Sequence, residues 1–164
     1  MTTERKLPKT LTHDDFQLVA DHCYHVTRKI VRKGKTVAAV VIAGTVGERG
    51  VNVKLSIGAP MEDDTDKYMV TQLTEALVQH PDIDFVAMVS EAWFVATKDK
   101  RDLEGSLADH PDRQEAVIFN ILSKDCQIVV MNPLHRNPSR LTRGKLDFSV
   151  KFAGRMARDP ETKN

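Results

Sequence analysis

The sequence predicts an α+β domain in which two helices pack on one face of a mixed, mostly antiparallel sheet of five or six strands. Three observations lead to this prediction. Two segments repeat apolar residues at helical spacing, six shorter ones are apolar or alternate with period two, and turns join four of these into hairpins. Hairpins require antiparallel neighbours, whereas the second strand, second helix and third strand form a crossover. The predicted order is α-β-β-α-β-β-β-β.

The composition is that of one globular domain. The chain has 164 residues, 41% hydrophobic and 29% charged, with a formal net charge of +1. We expect a flexible lead-in over residues 1–11, a domain over 12–153 and a flexible tail over 154–164. The small net charge gives no global reason for nucleic-acid or membrane binding. With two cysteines, no signal-peptide core and no apolar run of about 18 residues, a reduced cytoplasmic compartment is the expected location.

The first helix is predicted over residues 14–33. Thr12 and Asp15 form a capping signal at its start, and Gly34 is a suitable residue to end it. Two strands follow, over residues 36–43 and 51–57, joined by a turn over residues 44–50. The second of these strands alternates, with four apolar residues on one side: Val51, Val53, Leu55 and Ile57.

The second helix is predicted to begin at the acidic residues 62–64 and to end at His80-Pro81, because the residue before a proline avoids the helical region. Its expected inner stripe is Met69, Leu73, Ala76 and Leu77, flanked by Tyr68, Val70 and Val78.

The third strand, residues 84–97, is the longest near-continuous apolar run and is predicted to lie at the centre of the sheet, covered on both faces. A long charged loop over residues 98–113 follows. The remaining strands are predicted over residues 114–122, 126–131 and 145–153, with a basic irregular connection over 132–144. The sequence His-Pro-Asp occurs twice, at residues 80–82 and 110–112. Each copy is interpreted as a break before a strand, in which proline ends one element and aspartate begins the next.

Two patterns resemble ligand sites but are given structural interpretations. His22 and His25 share a helix face while Cys23 falls on the opposite, apolar stripe, so no metal site is predicted. The three glycines at 44, 47 and 50 precede a strand rather than a helix, which favours a hairpin loop over a phosphate cradle. No cofactor is predicted.

Glu91 is the one acid inside the central apolar run. On strand parity it shares a face with Trp93, while Ser90 lies on the other. A buried carboxylate requires a cation or hydrogen-bond donors, and Arg113 at the start of the next strand is the expected partner, with Glu115 on the same side. The group is interpreted either as an acid-base or ligand-orienting site or as an ion pair that fixes strand register.

The motif Ser90-Glu91-Ala92-Trp93, followed by Pro111-x-Arg113-x-Glu115, resembles a pattern in a group of small bacterial and phage proteins of unknown function. In that group, one further residue separates the proline from the arginine. The likeness covers roughly residues 83–122. It implies that the two motifs meet on adjacent strands, and it implies no activity.

Three functions remain open from the sequence. The preferred hypothesis is a non-catalytic module of a bacterial or mobile-element protein that acts by homo-oligomeric assembly or by binding a protein partner. The first alternative is a small hydrolase or nucleotide-ligand enzyme with Glu91, Arg113 and Glu115 as catalytic candidates, and Trp93 and Ser90 as ligand-binding candidates. The second is nucleic-acid binding through a basic segment that contains Arg136, Arg140, Arg143 and Lys145.

Overall fold

The computed structural model describes residues 10–59, 62–95 and 110–147. It confirms the α+β class and the predicted element order, to which it adds one two-residue strand, Arg140–Leu141, before the last. The elements are α1 (His13–Arg32), β1 (Val40–Gly47), β2 (Gly50–Gly58), α2 (Asp64–Gln79), β3 (Phe85–Phe94), β4 (Gln114–Leu122), β5 (Gln127–His135), β6 (Arg140–Leu141) and β7 (Leu146–Asp147). Neither helix is both long and apolar enough to cross a membrane, as far as the described residues extend.

The sheet has the strand order β2-β1-β3-β4-β5, and the two short strands β6 and β7 both pair with β5 at its outer side. Every pairing between the described strands is antiparallel. Because β2 and β3 both flank β1, they run parallel to each other, and α2 connects them as the predicted crossover.

The start of α1 follows from its sequence. Thr12 Oγ1 accepts from the amide of Asp15, and the Asp15 carboxylate accepts from the amide of Thr12, which completes a capping box. The helix buries an apolar stripe against the sheet: Phe16, Val19, Ala20, Cys23, Tyr24, Thr27 and Val31. Val26 of the same helix is exposed.

The two helices lie on opposite faces of the sheet, so the prediction of one helical face is wrong. Alternate residues of β3 point to opposite sides. Phe85 and Val89 belong to the core under α1, whereas Val86 and Met88 belong to a second core with Val70 of α2. The central strand is therefore covered on both faces, as its continuous apolar run predicted.

The inner stripe of α2 also differs from the prediction. Val70 and Thr74 are its buried residues, and the Thr74 hydroxyl donates to the carbonyl oxygen of Val70. Met69 is 63% exposed. Leu77 of the predicted stripe does pack against the second core. Threonine can occupy a buried helical position because its hydroxyl is satisfied by the preceding turn, so a count of apolar residues alone shifts the stripe.

A β-bulge divides the alternating strand β2. Its register with β1 pairs Leu55 with Ala43 but Val53 with Gly44, which leaves Lys54 as the extra residue. Val53 consequently packs in the α1 core and Leu55 in the α2 core. The expectation that all four apolar residues of this strand share one side is therefore wrong.

Several strand ends are displaced from their predicted positions. β1 extends through Gly44 to Gly47, and β5 continues past Met131 to His135. Pro133 is tolerated within β5, and its carbonyl oxygen accepts from the amide of Thr142 on the outer side of the strand. The predicted long loop and last strand fall largely outside the described residues, as do the lead-in and the tail.

The repeated His-Pro-Asp sequence forms the same turn twice. In each copy the histidine Nδ1 accepts from the aspartate amide at 3.1 Å, and its carbonyl oxygen accepts from the next amide at 3.2 Å. One turn precedes β3 and the other precedes β4. The prediction that each copy forms a break before a strand is confirmed.

Candidate functional site

The polar group around Glu91 lies on the α1 side of the sheet, where β3, β4 and β5 are adjacent. In the β3–β4 register Glu91 lies opposite Val117 and Trp93 lies opposite Glu115. Glu115 in turn lies opposite Leu134 of β5. These pairings place Glu91, Trp93 and Glu115 on one face, as strand parity predicted.

Glu91 is held by two groups that the sequence did not indicate. Its Oε1 accepts from the amide of Val37 at 2.8 Å, and its Oε2 lies 3.5 Å from Nη2 of Arg136. Val37 lies in the connection between α1 and β1 and is itself buried. The carboxylate therefore fixes the chain entering β1 to the middle of the sheet, and the expected Glu91–Arg113 pair is not formed.

Arg136 joins two carboxylates. Its Nε lies 3.0 Å from Oε2 of Glu115, in addition to the contact with Glu91. The three side chains are between 23% and 35% exposed, so water screens these pairs only in part and each is worth about 1 kcal/mol or less. The contacts match the ion-pair interpretation, with Arg136 as the cation in place of Arg113.

Arg113 has a different partner. Its guanidinium carbon lies 5.0 Å from the centre of the Trp93 ring, within the range of a cation–π contact. The strand register explains this arrangement, because Arg113 lies two residues beyond Glu115 and the indole stands between it and Glu91. Its one further contact among the described residues is a 3.5 Å hydrogen bond from Nη1 to the carbonyl oxygen of His110.

The side chains of Trp93 and Arg113 line an open groove of about 660 Å³. Pro111 and Gln114 from the start of β4, and Pro133 with His135 from the end of β5, contribute further walls. Trp93 is 41% exposed in this groove. Glu115 and Arg136 line it as an already paired acid and base, and Glu91 lies behind them.

The other candidates from the sequence are placed elsewhere. Ser90 is half-buried on the opposite face of the sheet, away from the groove. Arg143 lies 2.6 Å from Asp21 and stacks 4.5 Å from the Tyr24 ring, which ties the segment after β6 to α1. Arg140 and Lys145 are exposed. Of the four basic candidates, Arg136 and Arg143 are therefore paired with acids.

The histidines and the cysteine of α1 do not converge. Cys23 is buried in the core, His22 is half-buried and His25 is exposed. Burial raises the pKa of the Cys23 thiol to about 12. No group of three or more metal-ligating side chains occurs in the described ranges.

Sequence reasoning missed Arg136 as the partner of Glu91, along with the walls from Pro133 and His135. The signal was present in the second hairpin. Counting back from its turn, Leu122 pairs with Gln127, which places Leu134 opposite Glu115. A strand that ends at Met131, as predicted, does not extend as far as Glu115 on β4. Arg136 then falls in the predicted irregular basic segment instead of beside Glu115.

Comparison of the chain with models of protein families, with curated proteins and with solved structures gives no match. The groove around Trp93 is therefore the feature from which a function is inferred.

Proposed function

We propose that this protein is a partner-binding module that contacts another protein through the groove around Trp93. The observation that carries the proposal is the exposure of the only tryptophan of the chain, 41%, beside the stacked guanidinium of Arg113. Tryptophan and arginine are the residues most enriched among those that dominate the free energy of protein–protein binding.

The surroundings of the groove support this function. The pairs that Arg136 makes with Glu91 and Glu115 connect three strands directly beneath it. Because these ion pairs hold the residues beneath the groove in place, those residues lose little conformational freedom on binding, which favours affinity. The openness of the groove suits a segment of a protein chain better than an enclosed small molecule.

The hydrolase alternative receives less support from the same contacts. Both carboxylates are engaged by Arg136, and Glu91 also accepts from a backbone amide. A general base needs an oxygen free to accept a proton from a substrate or water, and both oxygens of Glu91 are engaged. Glu91 and Glu115 are better described as structural residues whose ion pairs with Arg136 lie beneath the groove.

The test uses the tryptophan as its own reporter. A displayed library of random twelve-residue peptides is selected on the immobilised protein, and enriched peptides are synthesised and titrated against it by calorimetry and Trp93 fluorescence. We expect bound peptides to shift the emission of Trp93. Trp93→Ala should weaken their binding by about tenfold or more, since truncation of a central tryptophan costs about 2 kcal/mol.

The matched control is Tyr68→Ala, which removes an aromatic side chain that is 64% exposed on α2, across the sheet from the groove. It should leave peptide binding unchanged. If selection enriches no peptide, or if the enriched peptides bind the Trp93→Ala protein as tightly as the wild type, the groove is not a protein-binding site.

A further inference from the structure

The charges of the groove are unevenly satisfied. Arg136 is neutralised by Glu115 and Glu91. Arg113 makes no ion pair with any described residue, and its contacts are the Trp93 ring and one long hydrogen bond to a carbonyl oxygen. Within the described residues, the groove therefore presents one arginine without an ion-pair partner, Arg113, which lies over the Trp93 ring.

The Arg113 guanidinium carbon lies over the Trp93 ring at 5.0 Å, and its hydrogen bond within the described residues is the long one from Nη1 to the carbonyl oxygen of His110. A planar guanidinium can donate two parallel hydrogen bonds to one carboxylate. The contact with the ring also restricts the arginine side chain before the ligand arrives, which reduces the entropy lost on binding. Arg113 is thus arranged to receive an anionic group at the rim of an apolar surface.

We propose that the partner contributes an acidic segment, in which a carboxylate binds Arg113 and a neighbouring apolar side chain packs against Trp93, Pro111 and Pro133. This inference rests on the proposed function and names the chemistry of the partner. As far as the described residues extend, the apolar walls of the groove and the guanidinium of Arg113 together specify these two side chains.

The charges around Arg113 favour a peptide over a nucleic acid. A phosphate backbone needs several cations in a row to bind well. Among the described residues that line the groove, Arg136 is already paired with acids, and the carboxylate of Glu115 lies in the groove itself. A single carboxylate requires only Arg113.

The test compares charge changes on both sides of the contact. Peptides selected on the wild-type protein are synthesised in pairs, with each acidic residue either kept or replaced by its amide. Their dissociation constants are measured on wild type, Arg113→Ala, Arg113→Lys and Arg49→Ala. Arg49→Ala is the matched control, because Arg49 is exposed in the turn between β1 and β2 at the other end of the sheet.

We expect selected peptides to be rich in Asp and Glu. Loss of the critical carboxylate should weaken binding to wild type about tenfold, but should have little effect on the Arg113→Ala protein. Arg113→Lys should recover only part of the affinity, because the ammonium keeps the charge and loses the planar pair of donors. Arg49→Ala should bind as wild type does.

Two outcomes overturn the inference and leave the proposed function intact. In the first, the enriched peptides contain no acidic residues but still need Trp93 for binding. In the second, the peptides are acidic but their affinity does not depend on Arg113. Either result shows that the groove has another specificity. Displacement of bound peptide by an equal concentration of single-stranded decathymidylate would assign the site to nucleic acid and overturn both. Binding insensitive to Trp93→Ala would contradict the proposed function itself.

Discussion

Asn132 is a buried amide that joins three segments of the chain. Its Nδ2 donates to the carbonyl oxygen of Val117 on β4 at 3.0 Å, and its Oδ1 accepts from the amide of Gly144 at 2.9 Å. Asn132 is 1% exposed and Val117 is fully buried, so the carbonyl oxygen of Val117 could not turn to water if the side chain were removed. The asparagine is therefore specified by hydrogen bonding, and an apolar residue of the same size would not replace it.

We expect Asn132→Ala to lower the free energy of unfolding by about 2 kcal/mol or more, since it leaves the buried carbonyl oxygen of Val117 and the partly buried amide of Gly144 without their side-chain partner. Urea unfolding followed by circular dichroism measures the change. Asn120→Ala is the control, because Asn120 on β4 accepts an exposed hydrogen bond from Gln127. It should cost less than about 0.5 kcal/mol. Equal losses for the two variants would contradict the assigned role of Asn132.

Cys23 gives a second prediction at this scale. Its thiol has a raised pKa of about 12 because burial disfavours the thiolate. Since the pKa is higher in the folded than in the unfolded chain, the neutral thiol stabilises the fold fully below its ordinary pKa. That contribution is lost as the pH rises from there towards 12.

In a Cys126→Ser background, Cys23 is the only cysteine left. We expect iodoacetamide at pH 8 to add no mass to the folded protein and one adduct in urea, as measured by mass spectrometry. Modification of the folded protein at a rate within about tenfold of the rate for the unfolded chain would show that the thiolate is accessible without unfolding.

At the scale of the elements, the bulge in β2 accounts for the division of its apolar side chains between two cores. The bulge brings the carbonyl of Asn52 against the Cα of Gly44, where an added Cβ would overlap it. Gly44 is therefore required by the approach of the neighbouring backbone, and its φ is not in the left-handed region.

Gly44→Ala should consequently destabilise the protein by about 2 kcal/mol or more, because the backbone of one strand must move. Gly47→Ala is a close control in the same strand, since a Cβ at Gly47 would meet no atom within 4 Å. We expect that substitution to be near neutral in thermal unfolding. A Gly44→Ala protein with an unchanged midpoint would show that β2 can shift away at little cost.

The elements also show which features the sequence could predict. The start of α1 and the bounds of β4 follow from local signals, namely a capping box and a β-branched run between turns. The bulge and the continuation of β5 through Pro133 depend on which strand lies alongside. Such pairing information is not local, so the true partner of Glu91 could not be recognised from its own strand.

At the scale of the whole molecule, β3 organises the fold by contributing to both cores. Its first residues are buried on the two faces by α1 and α2, and its last residues carry Glu91 and Trp93 to the groove. The sequence predicted the central position of this strand and the shared face of its polar residues. It could not predict the opposite placement of the helices, because that depends on the path of the crossover over β1.

The irregular edges of the sheet have a consequence for the behaviour of the protein at high concentration. On one side β2 carries a bulge and the exposed Lys54. On the other, β6 and β7 cover β5 as two separate pieces. In the part of the chain that the structure describes, neither border offers a long, straight row of free amides and carbonyls that could recruit a strand from another molecule. Concentrated solutions should therefore resist fibrillar aggregation, and copies that do associate should use a face of the sheet.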